Sequence, residues 1–370
     1  MERVYFLTGV TGFLGAEILS LLAIDRANRF YCLVRGRKDK NPQQRLDKCL
    51  SEIGFSGDDR VKVVEGDIGA EKLGINEDDY KHLTKEITHI IHSAADVRFN
   101  QPIEKMRKIN VEGTRHILEL AKDCQRDNPS FSHLNYIGTA FVAGKRKGIV
   151  GEDDLTDKFG FKNTYEQTKY EAEKLVRSYR DEGLPVIIFR PSIVAGVSES
   201  GEAKPRNVLY PMLELLSRLS LSWSPVNRKT RLDIVPVDFV AKAFVHISAD
   251  ERNIGKSFHL AAGPDGNIKI IRFLDLVSTV FNQHTHTFPP ILWKYIARPI
   301  LKIIKPSMYV NNPFYAFQSY AWELSPIYSV EETRKALQGS GIELPDMERF
   351  MTACIEYAKK TDFGREMPQE

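Results

Sequence analysis

Cysteine is scarce in this 370-residue chain: there are four, Cys32, Cys49, Cys124 and Cys354, far apart and never in a C-x-x-C pair. That spacing excludes a disulfide framework and a thiol-based metal site, and it suits packing thiols in a reducing compartment. No apolar run approaches the ~20 residues that span a bilayer. The first apolar run, from Val4, reads as a strand rather than a secretory leader, so a cytoplasmic location is expected. A dominant charge is also missing. With 52 Lys and Arg against 49 Asp and Glu, the net charge of +3 gives no ground for a nucleic-acid partner or a membrane surface. Internal repeats and low-complexity tracts are absent, which excludes solenoids and long disordered linkers.

What is present is a long alternation of short apolar runs with helical patterns, on a composition that is 42% hydrophobic and 27% charged. Val4–Leu7, Phe30–Val34, Val61–Val64, His89–His92, His133–Ile137 and Val186–Phe189 read as strands. Ala16–Ala23, Gln43–Glu52, Ile103–Cys124 and Tyr165–Asp181 read as helices. Repeated β-α units rich in Val and Ile with little polar alternation predict a parallel sheet covered on both faces, an α/β doubly wound architecture of the Rossmann type. From Val197 the rhythm breaks. Val208–Leu221 reads as a helix, Arg231–Val237 and Lys256–Leu260 as strands flanking a helix at Asp238–Ser248, and the remainder as mostly helical. The expected division is residues 1–196 as the nucleotide-binding domain, with 231–262 returning to it. Residues 197–230 and 263–370 then form a smaller, mostly helical substrate lobe.

The first strand runs into Thr8-Gly9-Val10-Thr11-Gly12-Phe13-Leu14-Gly15, with a helix following. In this strand-to-helix setting Gly9 permits a tight turn, Gly12 lets backbone amides approach a pyrophosphate, and Gly15 lets helix and strand pack closely. Phosphate then sits at a helix N-terminus, where unpaired amides favour an anion. At the end of the second strand, where an acid would bind the ribose hydroxyls of NAD, the sequence has Arg35. A guanidinium attracts a 2′-phosphate that a carboxylate would repel, so NADP(H) is expected. Asp67 and Ile68 follow the third strand, where a carboxylate can accept from an adenine amino group. Ser93, Ala94 and Ala95 follow the fourth, where small residues let backbone lie against the cofactor.

Two Tyr-x-x-x-Lys spacings occur, Tyr165–Lys169 and Tyr170–Lys174. At ~100° per residue the two tyrosines point about 140° apart, so they cannot share a site. The first opens a helix and carries Thr168 before its lysine. The second lies beside Glu171 and Glu173, which reads as a solvated charged face, so Tyr165 is preferred. Residues four apart share a helix face, which puts the Lys169 ammonium near the Tyr165 phenol and the cofactor ribose, where it is expected to lower the tyrosine pKa. Tyr165 then serves as proton donor to a carbonyl oxygen. Thr139, at the end of the fifth strand, supplies a second hydroxyl on the carboxyl edge of the sheet, where ligands bind in open α/β folds.

The order Thr-Gly-x-x-Gly-x-x-Gly, Thr139, Tyr165-x-x-x-Lys169 and Arg190-Pro191-Ser192 resembles the extended short-chain dehydrogenase/reductases. The resemblance implies a carbonyl-orienting role for Thr139, an acid role for Tyr165 and a ribose-binding role for Lys169. It also implies a nicotinamide contact for Pro191 and a relay-supporting role for Asn110. One departure is Gly138, where the family often carries a second hydroxyl. The stretches Val4–Gly15, Tyr31–Gly36, Ile137–Gly144 and Arg231–Val240 are similar to thioester reductase and fatty acyl-CoA reductase (male sterility) domains, in which Arg35 and Arg45 would together bind the 2′-phosphate.

That branch implies reduction of an acyl thioester, on coenzyme A or a separate acyl or peptidyl carrier protein, to an aldehyde, and the sequence leaves open whether a second hydride gives an alcohol. Lys204, Arg206, Arg228, Lys229 and Arg231 are candidates to meet an anionic carrier or are ordinary surface charge. Pro290–Lys305 is apolar with interspersed cations and fits core packing first, then a lid, a tunnel wall or an interfacial helix in contact with a membrane. The same catalytic set also serves reductases of free carbonyls and nucleotide-sugar epimerases or dehydratases, and a non-catalytic NADP-binding regulator is a further alternative.

Overall fold

The computed structural model describes residues 2–36, 41–99, 101–203, 209–218, 223–284, 286–292, 295, 320 and 323–365. Seven strands form one parallel sheet: β1 (Val4–Thr8), β2 (Arg29–Val34), β3 (Val61–Glu65), β4 (His89–His92), β5 (His133–Ile137), β6 (Val186–Pro191) and β7 (Ser257–Leu260). Their spatial order is β7-β6-β5-β4-β1-β2-β3. The order reverses beside β1, which pairs with β2 on one side (Phe6 opposite Tyr31) and β4 on the other (Leu7 opposite Ile91). Open α/β sheets hold their ligands at such a crevice.

The unbroken apolar strands reflect two buried faces. Successive side chains of a strand point to opposite sides. Val4 and Phe6 of β1 join one core with Tyr31, Leu33, Ile117, Leu118, Ala172 and Val176. Tyr5 and Leu7 join the other with Phe30, Cys32, Ile18, Leu19, Val240 and Phe244. The first face is covered by helices α3 (Glu77–Glu86), α5 (Gly113–Asp127) and α6 (Thr164–Asp181); the second by α1 (Phe13–Leu22), α2 (Pro42–Glu52) and α8 (Val237–Ser248). A third core gathers Tyr210 and Leu213 of α7 (Leu209–Arg218), Phe273, Leu274 and Val277 of α9 (Ile270–Phe281), and Phe350, Met351, Cys354 and Ile355 of α11 (Met347–Lys360). All four cysteines are buried free thiols.

The boundaries of the main-sheet strands read from the sequence lie within two residues of the observed ones, whereas other expectations change. The helix expected over Ile103–Cys124 runs on to Asp127 but is not uniform: α4 (Ile103–Arg107) and α5 are joined by a π-helical turn at Lys108–Glu112. The strand expected over Arg231–Val237 divides at Asp233. Arg231–Leu232 pairs antiparallel with Ile268–Lys269, and Ile234–Pro236 pairs parallel with Ile193–Ala195, neither in the main sheet. The Asp233 carboxylate accepts from the Ala262 and Gly263 amides at 2.8 and 3.1 Å, which turns the chain there. The C-terminal part also holds short strands at His286–Phe288 and Ile327–Tyr328, the latter paired with Ile149–Val150.

The solvated face expected around Glu173 is also overturned. Glu173 and Arg190 are fully buried and paired at 2.6 Å, and Arg177 donates to the same carboxylate at 3.1 Å. Arg190 also donates to the Glu152 and Asp154 carbonyls at 3.0 and 2.9 Å and contacts His259 Nε2 at 3.4 Å. Glu152 in turn accepts from the Glu332 and Thr333 amides at the start of α10 (Glu331–Ala336), which docks the C-terminal part against the sheet edge. Removing one member of a buried, fully bonded pair strands the other charge at a cost of about 3–5 kcal/mol. Glu173→Ala is therefore expected to lower unfolding stability by about that amount in urea titrations; a loss within the ~0.5 kcal/mol of a neutral surface change would rule out this role for the pair.

Candidate active site

The glycine loop is built by close approach. Gly9 has φ +77°, and a Cβ there would lie 2.7 Å from the backbone of Ser93 and Ala94. A Cβ on Gly15 would lie 2.3 Å from the Gly9 carbonyl oxygen, so α1 starts hard against the turn. Gly12 is the N-cap of α1, and neither a capping side chain nor an acidic residue occupies the first turn. The amides of Phe13, Leu14 and Gly15 thus begin a ten-residue helix with no side chain set to satisfy them. This cradle fits the pyrophosphate of a dinucleotide.

Arg35 and Arg45 converge beside the loop. Arg45 donates to the Thr11 hydroxyl at 3.1 Å and to the Arg35 carbonyl, and the Arg35 guanidinium pairs with Asp67 at 3.2 Å on the surface. Asp67 is engaged within the chain. One carboxylate oxygen meets Arg35 and the other accepts from the Gly69 amide at 2.9 Å, so it holds the guanidinium beside the glycine loop. The Ile68 side chain is buried in the core and faces Gly113 of α5.

The carboxyl edge of β5 and the start of α6 bring the three catalytic candidates together. The Tyr165 phenol and the Thr139 side chain are near enough for the threonine to favour the phenolate, and both residues are buried. Burial raises the phenol to about 12, with the Thr139 side chain pulling back and the Glu166 charge adding to the rise. The expected lowering by Lys169 is not seen: burial governs the phenol instead, and Tyr165 stays protonated at neutral pH, the form an acid needs. Lys169 donates to the Ile137 carbonyl at 3.1 Å and lies 4.7 Å above the Tyr136 ring. Burial brings its ammonium down to about 8, against an upward pull from Glu173. Pro191, at the end of β6, offers its carbonyl to Thr139 at 3.4 Å. Tyr170 packs against Phe161, away from the site, with ring centroids 5.1 Å apart.

Asn110, in the π turn, is buried and engaged at both ends. Its oxygen accepts from the Asp96 amide at 2.7 Å, and its nitrogen donates to the Asp96 carbonyl at 3.0 Å and the Thr168 hydroxyl at 3.1 Å. It clamps the loop that continues Ser93-Ala94-Ala95 onto α6. Beneath it His92 bridges Thr8 (2.8 Å) and Thr114 (3.1 Å), and the Thr114 hydroxyl donates to the Asn110 carbonyl at 2.7 Å. That donation leaves Thr114 as acceptor from His92 Nε2–H, so Nδ1 accepts from Thr8, whose oxygen accepts from the Ala94 amide at 3.2 Å. Burial, with the Lys169 charge nearby, keeps this imidazole neutral, at about 3.

Sequence reading missed the aromatic surround of Tyr165. Phe99 lies 5.5 Å from its ring, and Tyr320 lies 5.9 Å from Phe99 and 5.3 Å from Phe141. No spacing rule links residue 320 to residue 165, so no local signal marked it. Of the candidate carrier-facing cations, Lys204 and Arg206 lie outside the described residues. Arg228 and Lys229 are exposed, and Arg231 donates to Asn267 at 2.7 Å. In Pro290–Lys305 only Pro290–Leu292 and Tyr295 are described, and Ile291 and Tyr295 are exposed rather than packed in the core. Among the described residues, no helix is long and apolar enough to cross a membrane.

Comparison with known proteins agrees with this geometry. Nonribosomal peptide synthetase asaC of Aspergillus flavus is 32% identical over 70% of this chain and 26% of its own length. Non-canonical nonribosomal peptide synthetase FrzA of Cladobotryum sp is 25% identical over 93% of this chain and 35% of its own. The chain thus spans only a minor part of these curated relatives. Among solved structures, the terminal R domain from the myxalamid PKS-NRPS biosynthetic pathway superposes with a TM-score of 0.84 at 29% identity, covering 98% of this chain and 91% of that one. UDP-glucuronic acid 4-epimerase from Bacillus cereus, at a TM-score of 0.67 and 15% identity, shares the fold alone. An NAD-binding family model described as male sterility protein matches residues 7–244, which covers the glycine loop, Thr139, Tyr165 and Lys169, and a nicotinamide dinucleotide is the cofactor of that region. The chain belongs to the male sterility protein family of NAD-binding Rossmann domains, within the extended short-chain dehydrogenase/reductases.

Proposed function

We propose that the chain is an NADP(H)-dependent reductase that converts an acyl thioester, held on coenzyme A or on a separate acyl or peptidyl carrier protein, to an aldehyde, with a second reduction to the alcohol open to the same site. The observation that carries this reading is the placement of the buried Thr139 and Tyr165 side chains next to each other on the carboxyl edge of the sheet, with Lys169 one helical turn away. The relatives named as reductases support it. Aldehyde reductase lnbA of Aspergillus flavus is 28% identical over 79% of this chain, and glycine betaine reductase ATRR of Emericella nidulans is 31% identical over 70%.

Bound NADPH supplies the hydride that reduces the thioester carbonyl carbon. The Phe13–Gly15 amides hold its pyrophosphate, Arg35 and Arg45 its 2′-phosphate, and Lys169 its nicotinamide ribose. Thr139 and Tyr165 donate to the same carbonyl oxygen, stabilising the charge that develops on it, and Tyr165 then gives up its proton. The resulting hemithioacetal breaks its C–S bond, releasing aldehyde and a thiol. A panel of acyl-CoA and acyl-carrier thioesters, run against simple ketones and nucleotide sugars while NADPH oxidation is followed, tests the assignment. Turnover of ketones or sugars without thioesters would reject it.

Tyr165→Phe is expected to lower kcat by at least ~10²-fold while NADPH titrations change little. Undiminished turnover would move the acid role elsewhere. Arg35→Ala is expected to weaken NADPH by about 10–100-fold, the worth of charged hydrogen bonds of ~1.5–3 kcal/mol, with NADH unaffected. Equal losses for both coenzymes would remove the 2′-phosphate assignment. The Lys169 ammonium is present below its pKa of about 8 and lost above it. kcat/KM should therefore fall on an alkaline limb centred near 8, whereas a limb set by Tyr165 would lie near 12. A profile flat to about pH 10, the ordinary range of a lysine, would contradict a catalytic charge on Lys169.

A further inference from the structure

The N-terminal cap of α6 is assembled from two distant parts of the chain. Asn163-Thr164-Tyr165-Glu166 has the spacing of a capping box, in which the N-cap side chain binds the N3 amide and the N3 carboxylate returns to the N-cap amide. Asn163 keeps the first half, accepting from the Glu166 amide at 3.0 Å. Glu166 does not keep the second. It reaches one residue further and accepts from the Lys162 amide at 2.7 Å, which leaves its other oxygen to be satisfied. Tyr320, 154 residues on, donates its hydroxyl to that oxygen at 2.5 Å, and the same hydroxyl accepts from the Asn163 side-chain nitrogen at 3.0 Å.

These bonds close a ring through Asn163, Tyr320, Glu166 and the Lys162 backbone, with Tyr165 inside the turn that the ring encloses. Glu166 is wholly buried and Tyr320 nearly so. A buried carboxylate is tolerated only when donors surround it, and Tyr320 is one of its few. The Lys162 ammonium lies 4.5 Å above the Tyr320 ring, and Phe99 bridges Tyr320 and Tyr165. Both the backbone and the ring of Tyr165 are thus fixed against residues that Tyr320 holds.

We propose that Tyr320 is a positioning residue for the acid: the C-terminal part of the chain supplies the hydroxyl that completes the cap of α6 and thereby sets Tyr165 against Thr139. This rests on the reading of Tyr165 as proton donor. Loss of the hydroxyl frees the first turn to fray, and misplacement of a catalytic group by about 1 Å costs up to ~10²-fold in rate.

The test uses the full chain and Tyr320→Phe, which keeps the ring and removes only the hydroxyl, beside Glu166→Gln, the double variant and Tyr165→Phe. With octanoyl-CoA and NADPH, Tyr320→Phe is expected to lower kcat by about tenfold or more while both KM values stay within about twofold. The double variant is expected to be no slower than the slower single one, because both break the same ring. A purely stabilising residue would lower the melting temperature without this split. Hydrogen exchange of the amides at 162–166, which needs no substrate, is expected to quicken in Tyr320→Phe. Unchanged exchange there overturns the proposal, as does a kcat within twofold of the parent while Tyr165→Phe is inactive, or a raised thioester KM with kcat preserved. Full turnover by Tyr165→Phe would overturn the acid assignment and this proposal together.

Discussion

Four side chains spaced four residues apart along one face of α6, Tyr165, Lys169, Glu173 and Arg177, enter the interior as a polar stripe. Burying such a stripe is unfavourable unless every charge is paired. The pairing is what fixes the helix: Lys169 to the end of β5 through the Ile137 carbonyl, and Glu173 to Arg190 of β6. Arg190 then binds the loop carbonyls of Glu152 and Asp154, and Glu152 holds α10. Catalytic geometry and the docking of the C-terminal part therefore share one buried network. Glu173 also favours the charged form of Lys169, so a residue outside the active site sustains the charge inside it.

A second network supports the cofactor side. The run from the Ala94 amide through Thr8, His92 and Thr114 to the Asn110 carbonyl satisfies each donor and acceptor in turn. It links the glycine turn to the helix that clamps the Asp96 loop. The π turn at Lys108–Glu112 sits at the point where Asn110 must face both Asp96 and Thr168. Extra-wide helical turns of this kind commonly mark functional positions.

Most of the sheet and the nucleotide loop were legible in the sequence, because a two-faced parallel strand and a glycine turn are imposed by residues adjacent in the chain. The placement of Thr139 at the end of β5 and of Tyr165 at the start of α6 was legible for the same reason. Glu173 was misread because a glutamate among lysines and tyrosines on a helix is ordinarily solvated, and its partner Arg190 lies on a separate strand. The break at Asp233 and the reach of Tyr320 to Glu166 were hidden likewise: each depends on groups at least 29 positions away. Local spacing could not reveal them.

The two rims of the sheet are finished differently. On β3 the exposed Lys62 and Glu65 put charge along the outer strand. On β7 the outward amide and carbonyl of His259 are taken by the Glu152 carboxylate at 3.2 Å and the Thr333 hydroxyl at 2.9 Å. An open strand edge is a template for pairing with another chain. Here one rim repels such pairing and the other has its central backbone groups occupied, so the buried ion network that orders the catalytic helix also guards the sheet against joining its neighbours strand to strand.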